Sequence, residues 1–116
     1  MKKAKVFLVE DENALREMEK RFIEMEGHEV VLIACSRQEA LDSLVRVKEL
    51  GVDVAVLDGN LGTGKDDGPT IARALKGTMA GIKTISFSGD VVDFGDKNLR
   101  KPQDIGILGQ TVTELI

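Results

Sequence analysis

The residues of this chain whose types could do chemistry together are Glu10, Asp11, Asp58, Ser88 and Lys101. Glu10 and Asp11 follow the apolar run Val6-Phe7-Leu8-Val9, and Asp58 follows Val54-Ala55-Val56-Leu57. Ser88 and Lys101 close two further short stretches, Ile82 to Ser88 and about 97–101. Carboxylates brought close together repel, so they either take up protons or bind a hard cation. An oxygen-rich site with room for water suits Mg²⁺ or Mn²⁺. A lysine and a serine beside it offer donors to an incoming oxyanion. The combination describes phosphoryl transfer to a carboxylate, with metal and ammonium neutralising the phosphoryl oxygens while an aspartate attacks phosphorus.

That chemistry needs elements that bring the residues to one place. Short apolar runs rich in β-branched residues read as strands buried on both faces, and the segments between them read as helices. Strands are expected at 5–9, 30–33, 52–57, 82–88 and about 97–101. The first helix is expected to turn Leu15, Met18, Phe22 and Met25 inward and Arg16, Glu19, Lys20 and Glu24 outward, with Gly27 ending it. Ser36-Arg37-Gln38-Glu39 has the capping-box spacing. It predicts a single helix that buries Ala40, Leu41, Leu44 and Val47 before Gly51 stops it. Pro69 suits the first position of a third helix carrying Ile71, Ala74 and Leu75, and Ile105, Leu108, Val112 and Leu115 predict a last one. Alternation of strand and helix predicts an α/β fold: a flavodoxin-like, three-layer α/β/α domain with a five-stranded parallel sheet of order 2-1-3-4-5. In that order strands 1, 3 and 4 are neighbours, and every candidate residue lies at the carboxyl edge of the sheet.

At 116 residues the chain is read as one domain, 1–116. A net charge of −4 gives no bulk attraction to nucleic acid or an anionic membrane. The aromatics are four Phe with no Trp or Tyr, so base-stacking platforms are not expected. Cys35 is the single cysteine and reads as a small core thiol in a reducing, cytoplasmic setting. The basic start Met1-Lys2-Lys3-Ala4-Lys5 is followed by an apolar run too short for export or a membrane span. His28, the only histidine, reads as a surface turn residue.

The chain resembles the receiver domains of two-component response regulators. The resemblance is carried by Val6 to Glu12, Ala34 with Glu39-Ala40-Leu41, Asp53 to Asp58, Ser88-Gly89 and Lys101-Pro102, in that order. It implies that Asp58 accepts a phosphoryl group from a histidine kinase or a phosphotransfer protein. It also implies that Asp11 holds Mg²⁺ directly, Glu10 holds it through water, and the backbone carbonyl of Asn60 is a further ligand. Ser88 would bond the phosphoryl oxygen, Lys101 would pair with it, and the Lys101–Pro102 peptide bond would be cis. An unidentified downstream protein would read the result. The chain would be a stand-alone regulator, a phosphorelay intermediate or a domain excised from a longer one.

Two departures stand out. The loop after Asp58 has Gly62 where receivers usually have proline, and its closing Asp67-Gly68 comes about two residues late, which predicts a flexible insertion. The twelve residues 89–100 must hold both a strand and a crossover. A helix of ordinary length, roughly 11–12 residues, does not fit there, so the fourth helix should be missing or reduced to a turn. Asn98 occupies the strand position where the family carries a switching aromatic, and Phe94 is nearby but out of register. An alternative follows: a pseudo-receiver acting as a phosphorylation-independent interaction module. Gly59-Asn60-Leu61-Gly62-Thr63-Gly64-Lys65 also fits most of a P-loop, but Asp66 and Asp67 stand where phosphates would nest, and Gly68-Pro69 should delay the helix.

Overall fold

The structure, a computed structural model, describes residues 2–116; Met1, the first residue of the basic start, lies outside them. Five parallel strands, β1 (Lys5–Val9), β2 (Glu29–Ala34), β3 (Val54–Asp58), β4 (Lys83–Ser88) and β5 (Lys97–Arg100), form one sheet in the order β2-β1-β3-β4-β5. The register sets Val9 beside Leu57, Asp58 beside Phe87 and Ser88 beside Arg100. β3 is buried along its whole length, as expected of a central parallel strand covered on both faces.

Two apolar layers cover the sheet. One face carries Phe7, Val9, Ala55 and Leu57 against Ala40, Val47, Ile71 and Leu75. The other carries Val6, Leu8, Val54, Val56, Ile85 and Phe87 against Ile23, Leu108 and Val112. The alternation along β1 and β3 therefore feeds both layers. Helices α2 (Arg37–Asp42), α3 (Leu44–Leu50) and α4 (Asp67–Thr78) belong to the first layer; α1 (Asn13–Met25) and α5 (Leu108–Leu115) belong to the second. No helix of the described residues is long and apolar enough to cross a membrane.

Several expectations change. The helix after Ser36 is two helices. Ser36 Oγ does accept the Glu39 N–H, but the Glu39 carboxylate reaches back to the Cys35 N–H rather than to that of Ser36. At Ser43 the hydroxyl donates to the Glu39 carbonyl, a back-bond that breaks the run before α3 starts. α4 begins at Asp67, so Pro69 lies inside its first turn and delays nothing. α1 is rotated from its expected face: Met18 and Met25 point to solvent, whereas Glu19 and Ile23 are buried. His28 is buried too, its Nδ1 accepting the Ala4 N–H at 3.0 Å and its Nε2 2.7 Å from Thr113 Oγ1. Cys35 is half-buried. The crossover from β4 to β5 contains no helix, as the residue count required.

Candidate functional site

The carboxyl ends of β1, β3 and β4 and the turn after β5 deliver the candidate residues to one place. Asp58 is the last residue of β3 and only 6% exposed. Its Oδ2 lies 3.0 Å from Lys101 Nζ, and its Oδ1 accepts the Asn60 N–H at 3.2 Å. Lys101 also reaches Glu10 Oε1 at 2.7 Å, so one ammonium bridges β1 and β3. The cis Lys101–Pro102 bond follows directly. Glu10, Asp11 and Asp58 offer oxygens within 4.8 Å of one another, with Asp11 exposed and the other two buried. Ser88 is buried at the end of β4, and its Oγ accepts the Asp90 N–H at 3.2 Å. Asn60 stands at the exposed rim, where its side-chain oxygen holds the Gly62 N–H.

Burial pushes the Asp58 carboxyl up to about 6, with Lys101 opposing and Glu10 adding to the rise. Burial also acts upward on Glu10, but hydrogen bonds from Glu19 and Lys101 outweigh it and hold Glu10 below the ordinary range. Burial opposes the charge on Lys101, yet the carboxylates of Glu10 and Asp58 keep it firmly protonated. At neutral pH the site thus holds an ionised Asp58 and an ionised Glu10 clamped by one cation. The donor set is all oxygen, and its exposed member, Asp11, leaves room for water ligands. Such a set of oxygens from Glu10, Asp11 and Asp58 could hold a hard divalent cation.

Glu19 was missed from sequence. Its carboxyl faces Glu10 from the buried side of α1, and burial and then Glu10 raise it to about 10, so it stays protonated and donates to Glu10. The signal was the Leu15-Glu19-Ile23 spacing, which marks a helix face as well as the methionines do. Arg16 was missed as well; its Nη1 donates to the Glu10 carbonyl.

The loop after Asp58 is not loosely held, contrary to expectation. Asp67, fully buried, accepts the N–H groups of Leu61 at 2.7 Å and Thr63 at 3.2 Å, and the Thr63 hydroxyl as well. Arg37 pairs with the same carboxylate at 3.3 Å. Burial acts against this charge, but the donors from Thr63, Leu61 and Arg37 win, and the pKa is lowered. The Leu61 and Thr63 N–H groups are thus already taken by a carboxylate, which argues against a phosphate nesting on them.

The family model for the response regulator receiver domain matches residues 6–101. The chain is 36% identical over 105 residues to the sensor kinase CckA of Brucella abortus (strain 2308). That match covers 90% of this chain and 11% of CckA, so the chain spans about a ninth of that relative's length. The crystal structure of the receiver domain from the hybrid histidine kinase CckA superposes with a TM-score of 0.76 at 28% identity, covering 96% of this chain and 97% of that one. A LuxR-family two-component response regulator from Aurantimonas sp. SI85-9A1 shares the fold, with a TM-score of 0.81 at 22% identity over 98% of this chain and 85% of that one. The match runs from β1, with its acidic end, through to the lysine that bridges Glu10 and Asp58, and the chain belongs to the response regulator receiver domains of two-component signalling.

Proposed function

We propose that Asp58 accepts a phosphoryl group from a histidine kinase or phosphotransfer protein in a Mg²⁺-dependent reaction, and that the acyl phosphate changes which proteins the domain binds. The observation that supports this most is the setting of Asp58: a carboxylate at the end of a buried strand, ionised at neutral pH, gripped by Lys101 and flanked by Glu10 and Asp11. A carboxylate so placed is a nucleophile oriented by both its oxygens, Oδ2 on Lys101 and Oδ1 on the Asn60 N–H. In the reaction its oxygen attacks phosphorus, the phosphorus–nitrogen bond of the donor phosphohistidine breaks, and the leaving imidazole takes a proton from solvent. Lys101 then shares its hydrogen bonds with the phosphoryl oxygens, and the Ser88 hydroxyl donates to another. Attack of water on phosphorus later returns the carboxylate and inorganic phosphate. Asp11, Asp58 and the Asn60 carbonyl would hold Mg²⁺, with Glu10 behind them, and the ion would supply charge neutralisation for the phosphoryl oxygens.

The pseudo-receiver reading draws on the missing crossover helix and on Asn98. A module freed of this chemistry has no need of a like-charge cluster that only Lys101 and a proton on Glu19 make tolerable. Intact-mass measurement after incubation with Mg²⁺ and acetyl phosphate, beside Asp58→Asn, decides between the two. The expected result is one phosphoryl group on the native chain and none on the variant. Equal labelling of both would reject Asp58; labelling of neither, with no Mg²⁺ binding by titration, would reject phosphoryl transfer altogether.

A further inference from the structure

The crossover between β4 and β5 has no helix, yet it is tied to the site at two points. The first is the ring of Phe94. A Cβ built on Gly68 would lie 2.4 Å from Phe94 Cζ and 2.9 Å from the Asp58 carbonyl oxygen. A Cβ on Gly59 would lie 3.7 Å from Phe94 Cε2 and 3.0 Å from Ser88 Oγ. The ring is therefore wedged between the residue that follows Asp58 and the first turn of α4, next to Ser88. Both backbone positions are glycine, and the ring uses the space that side chains would take. The second tie is the Asp90 N–H on Ser88 Oγ.

Between these ties the segment is held lightly. Val91 is 82% exposed, Asp93 is exposed and Val92 is half-buried. Asn98 cannot replace the ring as a moving part. Its Oδ1 takes the Ser86 hydroxyl at 2.6 Å and the Gly95 N–H at 3.0 Å, and its Nδ2 donates to the Gly95 carbonyl, so it is locked into the turn before β5. The ring does have somewhere to go: a cavity of about 350 Å³ lined by Ala72, Thr84, Phe94 and Gly95 opens on one side of it.

We propose that Phe94, wedged against Gly59 and Gly68 beside Ser88, is the residue through which phosphorylation of Asp58 repositions the exposed 90–93 segment. This rests on Asp58 being the phosphoacceptor. Turning Ser88 toward a phosphoryl oxygen draws its Oγ away from the Asp90 N–H. The same shift moves Gly59, and with it the wall against which Phe94 packs. Because Asp90 is exposed, water replaces the lost acceptor and the release costs little. Packed contacts of this kind have discrete arrangements, so a small movement at Ser88 becomes a different path for residues 90–93.

The test uses the protein's lack of Trp and Tyr, which makes Phe94→Trp the sole indole. Mg²⁺ and acetyl phosphate should shift its emission, and adding Asp58→Asn should abolish the shift. The wild-type chain supplies the independent measurement, because a larger ring against Gly68 could disturb packing. The amide resonances of Asp90 to Gly95 should move on phosphorylation while those of Val52, at the far edge of the sheet, stay put. In Phe94→Ala, intact mass should still show the phosphoryl group, but the response of Val91 and Val92 should be lost. Phosphoryl uptake with still 90–95 amides, or an undiminished response in Phe94→Ala, overturns this proposal alone. No uptake by the wild-type chain overturns the phosphoacceptor reading and this proposal with it.

Discussion

Glu19 shows how much one buried proton can do. Its carboxyl keeps a proton up to about pH 10 in the folded protein, against 4.5 for the free group. Between those values the unfolded chain binds fewer protons than the native one, so stability falls as pH rises. Glu19→Gln keeps a donor for Glu10 and removes this dependence. Urea unfolding at pH 5.5 and 8.5 should show the variant gaining on the native protein by up to about 1.4 kcal/mol per pH unit; a gain that shrinks with pH would reject the protonated acid. His28 makes a second residue-scale case. Its Nδ1 accepts from Ala4, so the ring proton belongs on Nε2 and goes to Thr113 Oγ1. Thus the residue that leads into β1 and helix α5 are joined through one imidazole. His28→Ala leaves the Ala4 N–H without its partner inside the protein and should lower the unfolding free energy by about 1–3 kcal/mol in urea. Spacing alone offered Glu19 a place on a buried face and offered His28 none, and residue type assigns an acid and a turn histidine to the surface. Only the partner, Glu10 in one case and Thr113 in the other, makes the interior tolerable, and both partners come from other elements.

At the scale of elements, the sequence showed where segments start and stop better than how they are held. Gly27 and Gly51, both at positive φ, end their helices as expected. The Ser43 break and the start of α4 were hidden because they depend on side chains that bond to backbone: Ser43 to the Glu39 carbonyl, and Asp67 to the loop before it. Composition alone made that loop look mobile. Asp67, however, turns a glycine-rich stretch into a defined wall of the site, joined to α2 through Arg37. Asp67→Ala strands the Leu61 and Thr63 N–H groups and leaves Arg37 without its buried partner, which should reduce stability by about 3 kcal/mol. It should also weaken Mg²⁺ binding, because Asn60 lies in the same loop; calorimetric titration checks the second effect separately from unfolding. The packing of α1 against α5 gives a sharper contrast. A Cβ on Gly109 would lie 2.5 Å from the Phe22 carbonyl oxygen, whereas one on Gly77, within α4, meets nothing within 4 Å. Gly109→Ala should therefore cost about 1–3 kcal/mol by overpacking. Gly77→Ala should add roughly 0.5–1 kcal/mol from helix propensity. Thermal unfolding of the two variants should move in opposite directions, and both moving the same way would refute the packing argument.

For the whole molecule, topology was legible because it follows from pattern: apolar runs alternating with helical segments allow few arrangements, and order 2-1-3-4-5 places Glu10, Asp58 and Ser88 on adjacent strand ends. The site is thus a product of connectivity, and its charge balance belongs to the whole sheet edge rather than to any residue. That balance predicts a link between metal, pH and global stability. A cation that binds only the folded cluster stabilises it by mass action, by about 2.7 kcal/mol at a concentration a hundred times its Kd. Asp58 must be ionised to contribute, and its carboxyl, raised from 3.8 to about 6, takes up a proton in the folded state as pH drops through about 6. Because the folded value lies above the unfolded one, this proton favours the folded state and competes with the cation for the same oxygen. The increase in Tm on adding Mg²⁺ should therefore be largest above pH 7, shrink through pH 6 and be small at pH 5. In Asp58→Asn one charged ligand is gone at every pH, so the increase should be smaller throughout and its step near pH 6 should vanish. If instead the wild-type increase is the same at pH 5 and pH 8, cation binding does not depend on the Asp58 carboxylate, and the site reading built on Asp58, Asp11 and Glu10 fails.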